Sequence, residues 1–237
     1  MFVSTSGMEF DKKKPSILLM HGSGLTHIVW SLHEQFYVSQ GFNVLSIDLP
    51  GHGKSDDVDG GLDDWCNEII KILPKNPILL GWSLGGLLAI HVASQVPTTK
   101  LILVASTPNF VQSDDWPYGI DEDNFRQFSD ALELNLSKGL KRFVSLQTQD
   151  KTQLKTLNQS IDKFPASTKA LNQGLETLLT ADLVDEFNQL KMPIEVILGN
   201  HDTLVPYRIS NCYDKSKIKT QVLNTGHLPF LHKDFTL

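Results

Sequence analysis

The feature that most constrains this chain is a series of short apolar runs, each stopping at a turn residue. Ile17 to Met20 runs into His21-Gly22, Asn43 to Ile47 into Asp48, Ile78 to Leu80 into Gly81, and Leu101 to Val104 into Ala105. A continuous apolar run of four or five residues suits a strand buried on both faces of a parallel sheet. Between the runs lie helix-length amphipathic segments, Leu62 to Leu73 and Leu84 to Gln95. Strands alternating with helices predict a doubly wound, mostly parallel α/β sheet. From Asp121 to Leu179 no buried-strand run occurs. There is only helical periodicity (Phe125, Phe128, Leu132, Leu136), punctuated by Gly139 and Pro165. Ile194 to Leu198 and Thr220 to Leu223 then restore strands. The expected organisation is one core, residues 1–110 and 181–237, interrupted by a helical cap over 111–180.

Length and charge bound the function. At 237 residues the chain holds one well-buried core, too short for two full-sized domains. Its net charge of -6 argues against nucleic acid as a partner, which would normally demand a basic excess. Cys66 and Cys212 belong to no CxxC pair or ligand cluster and are expected to be reduced, partly buried thiols. No window reaches the ~18 apolar residues that span a bilayer. The amino terminus lacks a long apolar stretch preceded by positive charge, so no signal peptide is expected. A cytoplasmic, monomeric protein needing no metal or cofactor is the expectation.

Chemistry concentrates at Gly81-Trp82-Ser83-Leu84-Gly85. The pentapeptide matches G-x-S-x-G between a buried strand and an amphipathic helix. Ser83 must then sit on a strained turn, and glycines on either side let the backbones approach. Its Oγ would face the carboxyl edge of the sheet, beside a helix N-terminus that favours negative charge. A serine hydroxyl is a poor nucleophile until a base takes its proton, and an acid must orient that base. After the insertion, Asp202 follows one strand and His227 follows the last. Both therefore reach the edge where Ser83 is expected. His201 adjoins Asp202, but neighbours on a turn point apart. His33 and His232 lack a strand-end position, and Asp182 and Asp185 precede the penultimate strand. Two N–H groups should stabilise the oxyanion, from Leu84 and from Ser23 in the loop after the first buried strand. His21 suits a role bracing that loop. Asp48 to Ser55 reads as a turn shaping the sheet edge, without a dinucleotide fingerprint.

HGSG (21–24), DLPGHGKS (48–55), GWSLGG (81–86), GNHDTLVP (199–206) and NTGHLPF (224–230) stand in the order found in α/β-hydrolases, which the chain resembles over nearly its whole length. Closer in, VASTPNF (104–110), DDWPYGI (114–120), RFVSLQT (142–148) and LNQGLET (171–177) before TADL make it similar to the pimeloyl-[acyl-carrier protein] methyl ester carboxylesterases of biotin synthesis. The resemblance implies hydrolysis of that methyl ester to the free carboxylate and methanol, with Ser83, Asp202 and His227 as triad. It also implies substrate contacts at Ser23 and at Phe143, Val144, Ser145, Leu146 and Gln147, and carrier-protein contacts at Lys138, Arg142 and Lys155. Two departures stand out. That family usually carries Trp where this chain has Ser23, and it continues into a covering helix where this chain ends ten residues after His227.

Charge supports a carrier-protein partner independently. Residues 137–169 carry seven basic side chains against only Asp150 and Asp162, and a basic cap steers an acidic partner by long-range attraction. Two other readings stay open on the residues: a general short-chain carboxylesterase or C–C bond hydrolase on the same scaffold, and a non-catalytic receptor that uses the pocket.

Overall fold

The computed structural model describes residues 1–5, 9–133, 138–141, 145 and 151–235; side chains at 128–133, 152, 153 and 156 are outside the description. Seven strands form one sheet: β1 (Val3–Ser4), β2 (Ser16–Met20), β3 (Asn43–Ile47), β4 (Ile78–Trp82), β5 (Lys100–Val104), β6 (Ile194–Gly199) and β7 (Ile218–Leu223). The order is β1-β3-β2-β4-β5-β6-β7, and every pairing is parallel except β1 with β3. The five central runs expected from the sequence are strands in the positions expected. The two-residue β1 escaped the reading, because Val3-Ser4 is too short to carry a period.

Side chains alternate across the sheet into two cores. Leu18, Met20, Leu79, Leu101, Leu103, Val196 and Leu198 pack with Trp65, Leu87, Leu88 and Phe187. These last come from α2 (Leu62–Ile70), α3 (Leu84–Gln95) and α7 (Val184–Gln189). Ile17, Leu19, Leu80, Trp82, Ile102, Val104 and Ile197 pack on the other face with Trp30, Tyr37 from α1 (Ser31–Ser39), and Phe230. Apolar side chains on both faces explain why the strands read as continuous runs. The expected helix from Leu62 to Leu73 is shorter than foreseen. It ends at Ile70, and a turn carries Ile72 and Leu73 back against the core, so their apolarity reflects packing rather than helix.

The insertion is helical where described: α4 (Glu122–Glu133), a turn at 138–141, α5 (Lys151–Lys163) and α6 (Thr168–Thr180). Gly139 lies inside that helical turn rather than ending a helix, whereas Pro165 does separate α5 from α6. A bridge between Asn109 and Asp182 closes the base of the insertion. Among the described residues, no helix is long and apolar enough to cross a membrane.

Strand order reverses at β2, with β3 on one side and β4 on the other. In an open parallel sheet the crevice at such a point, outside the carboxyl ends of the strands, is where ligands bind. The loops after β2, β4, β6 and β7 meet there.

Candidate active site

Ser83 occupies the junction of β4 and α3 with φ 55 and ψ -122, a conformation that costs a non-glycine residue on the order of 1–3 kcal/mol. The surroundings hold it in place. The Ser83 N–H donates to the Val104 carbonyl at 3.0 Å. Its own carbonyl accepts from the N–H groups of Gly86 and Leu87 and from the Ser106 hydroxyl, at 2.9, 3.1 and 2.8 Å. The flanking glycines are required by contact. A Cβ on Gly81 would lie 2.3 Å from the Gly85 carbonyl oxygen, and one on Gly85 2.4 Å from that of His21.

Asp202 and His227 meet as expected. His227 Nδ1 lies 2.7 Å from Asp202 Oδ2, and both side chains are fully buried. The other carboxylate oxygen accepts from the Leu204 and Val205 N–H groups at 2.8 and 3.0 Å, which fixes the direction of the acid. Close approach of two loops makes the pairing possible: a Cβ on Gly199 would stand 2.1 Å from the Gly226 carbonyl oxygen. Trp82, immediately before Ser83, donates its indole N–H to the His227 carbonyl at 2.8 Å, and the two rings lie 5.8 Å apart. The histidine is thus tied to the strand that carries the serine. Nothing in the sequence marks Trp82, because the residue before the serine in G-x-S-x-G is unconstrained by the motif. Ser106 went unremarked for a similar reason, having no motif of its own.

The loop after β2 sits directly on the elbow, since a Cβ on Gly22 would lie 3.1 Å from Ser83 Cβ. Two buried histidines shape this loop. His21 Nδ1–H donates to the Gly22 carbonyl at 2.7 Å while Nε2 accepts from the Leu49 N–H at 3.0 Å. His52 Nδ1–H donates to the Pro50 carbonyl at 2.9 Å while Nε2 accepts from the Gly24 N–H at 3.0 Å. Each accepting nitrogen must be unprotonated. Burial first, then the neighbouring His52, push His21 down to about 3, and burial likewise lowers His52. His21 is therefore a brace, as its position suggested, and His52 is a second brace that the sequence did not reveal. Asp48 supports the same corner. Burial works against its charge, but hydrogen bonds from the side chain and N–H of His27 and from the Lys54 N–H hold its carboxyl below the usual range. Of the two expected oxyanion donors, Leu84 opens α3 directly after Ser83, and Ser23 is half-buried in the braced loop, next to the Gly22 that contacts Ser83.

The remaining candidates divide. His201 bonds Asn224 at the surface, His33 packs against Trp30 and Phe230, and His232 accepts from the Asp234 N–H. None of these stands in for His227. Phe143, Val144, Leu146, Gln147 and Arg142 lie outside the described residues. Ser145 is exposed, with its hydroxyl donated to the Lys141 carbonyl at 2.6 Å. Lys138 and Lys155 are exposed on the cap, and Lys141 pairs with Asp162. Cys66 and Cys212 are free thiols, both raised by burial and neither placed at the elbow. A surface cleft of about 900 Å³, lined by Pro97, Thr99, Lys191 and Pro193, opens at the amino-terminal ends of β5 and β6, opposite Ser83.

Known proteins give this geometry a lineage. The model of the Alpha/beta hydrolase family matches residues 17–236. The chain belongs to that family. It is 37% identical to a pimeloyl-[acyl-carrier protein] methyl ester esterase of Pseudoalteromonas atlantica, over 92% of this chain and 89% of that protein. It is 35% identical to the protein of the same name from Nitrosomonas europaea, over 92% and 90%. Among solved structures, an esterase from Exiguobacterium antarcticum superposes with a TM-score of 0.83 at 21% identity, over 92% of this chain and 86% of that one, a likeness of fold. As a member of this family with esterase relatives, the chain is a carboxylic ester hydrolase.

Proposed function

We propose that this α/β-hydrolase cleaves the methyl ester of pimeloyl-[acyl-carrier protein], releasing methanol and the free carboxylate for biotin synthesis. The observation that carries the reading is the buried Asp202–His227 pair tied through Trp82 to Ser83, in a chain whose relatives bear that enzyme's name. His227 accepts the Ser83 proton as Oγ attacks the ester carbonyl, and Asp202 holds the tautomer in which Nε2 carries no proton of its own. The Ser23 and Leu84 N–H groups receive the oxyanion, the latter backed by the N-terminus of α3. Methanol departs with the proton from His227, and water attacks the acyl-enzyme by the same route. No metal or cofactor enters these steps.

The cap supplies selectivity. Residues Phe143, Val144, Ser145, Leu146 and Gln147 border the acyl chain, while Lys138, Arg142 and Lys155 attract the acidic carrier protein. The enzyme acts as a monomer in the cytoplasm. Mass spectrometry of pimeloyl-carrier-protein methyl ester after incubation tests the reading. A loss of 14 mass units, about one CH₂, is expected with wild type and not with Ser83→Ala. A carrier-linked ester left intact by wild type, alongside turnover of small esters, would leave a general esterase instead. Ester turnover by Ser83→Ala equal to wild type would remove Ser83 from the mechanism.

A further inference from the structure

Gly174 stands in the middle of α6, where glycine costs a helix roughly 1 kcal/mol relative to alanine. It is buried, and the backbone there is helical, so no special conformation calls for it. What it faces explains it better. A Cβ at this position would lie 2.9 Å from Leu84 Cδ2, 3.7 Å from Ser23 Oγ and 3.9 Å from the Trp65 ring. The cap helix therefore crosses the core directly over the two residues assigned to the oxyanion, and the missing side chain is missing at the crossing.

Several contacts oppose withdrawal of α6 to admit a larger residue. The Ser167 N–H donates to the Gly51 carbonyl at 2.8 Å, and Gln173 Nε2 donates to the Gly60 carbonyl at 2.6 Å. Ser167 Oγ also bonds Asp57, and Lys169 pairs with Asp59. These contacts clamp the first half of the helix to the loop between β3 and α2. Bulk added at 174 therefore presses first on the Leu84 side chain and, beyond it, on Ser23.

We propose that Gly174 is a specificity-determining residue, which keeps open the wall past which the acyl carbons nearest the ester carbonyl run. The small Ser23 side chain opposite it widens the same wall. The acyl side is favoured over the alcohol side because α6 belongs to the cap, the part of the molecule assigned to the acyl chain. This inference rests on the esterase reading above.

The test compares 4-nitrophenyl acetate with 4-nitrophenyl hexanoate, which share a leaving group and differ only in acyl length. The proteins are wild type, Gly174→Ala, Gly174→Val and a Ser83→Ala control. Gly174→Val should lower the hexanoate-to-acetate ratio of kcat/KM about tenfold or more, and Gly174→Ala about threefold. Leu84 Cδ2 ends a flexible side chain, so the alanine variant folds and its ratio decides the matter if the valine variant does not. A ratio within about 1.5-fold of wild type in folded Gly174→Ala, or equal losses on both esters, overturns the proposal. If wild type hydrolyses neither ester, or the control matches it, the esterase reading itself fails, a result distinct from an unchanged ratio.

Discussion

Replacing Asp202 by asparagine isolates what the carboxylate does. Oδ1 accepts two backbone N–H groups, from Leu204 and Val205, and Oδ2 faces His227 Nδ1 at 2.7 Å. An asparagine can place its NH₂ group toward either side. Turned toward Leu204 and Val205, it would set a donor against two donors and strand both. At about 1–3 kcal/mol per buried unsatisfied group, that orientation is disfavoured by roughly 2–6 kcal/mol. The amide NH₂ therefore faces His227, and the imidazole must present a bare Nδ1 and carry its proton on Nε2. In that tautomer it cannot take the proton of Ser83. The expected loss in kcat is about 10⁴-fold, the size this swap has in Ser-His-Asp enzymes, or about 5–6 kcal/mol at 1.36 kcal/mol per decade. Steady-state hydrolysis of 4-nitrophenyl acetate measures it, with a melting curve to establish that the fold survives and ¹⁵N NMR of the imidazole to locate the proton. A folded Asp202→Asn enzyme that loses less than tenfold, or whose His227 still carries its proton on Nδ1, would refute the tautomer argument.

Three further outcomes follow from the same structure. Reversing Lys138, Arg142 and Lys155 to Glu should cut kcat/KM for the carrier-linked ester by tenfold or more at low salt. The wild-type rate should itself fall as ionic strength passes ~0.15 M, where the Debye length is ~8 Å, and equal losses on a small neutral ester would count against steering. Gly85→Ala places a methyl 2.4 Å from the His21 carbonyl oxygen and 2.7 Å from that of Met20, backbone atoms that cannot turn aside. Urea unfolding should show at least about 3 kcal/mol of destabilisation, and a loss under 1 kcal/mol would mean the elbow is looser than described. Acid should weaken the fold through His21. Its folded value of about 3 lies below the unfolded value near 6.5, so the unfolded chain binds the extra proton between them. Stability is full above about pH 6.5 and falls toward pH 3, and His21→Gln should flatten the slope of the urea midpoint over that window.

Much of this was legible in the sequence because it depends on local pattern. Strands buried on both faces advertise themselves as unbroken apolar runs, and the elbow needs its glycines at fixed offsets, since backbone crowding there admits no Cβ. The positions of Asp202 and His227 could be inferred as well, because residues just past buried strands of one parallel sheet emerge on one edge. The helical period runs past the end of α2 because Ile72 and Leu73 are apolar for tertiary reasons, and a period cannot separate the two causes. Only the folded chain decided the rest. Whether Asp202 reaches His227 depends on two loops passing within contact distance at Gly199 and Gly226, 27 residues apart in the chain. The tie from Trp82 to His227 spans 145 residues, and the clamp from Lys169 to Asp59 spans 110. The paired braces of His21 and His52 join loops after different strands. In each case a hydrogen bond or contact is made between segments whose sequence separation carries no information about their distance in space. The mid-helix Gly174 is the plainest instance: its sequence shows only a weak helix position, and the Leu84 side chain above it supplies the reason.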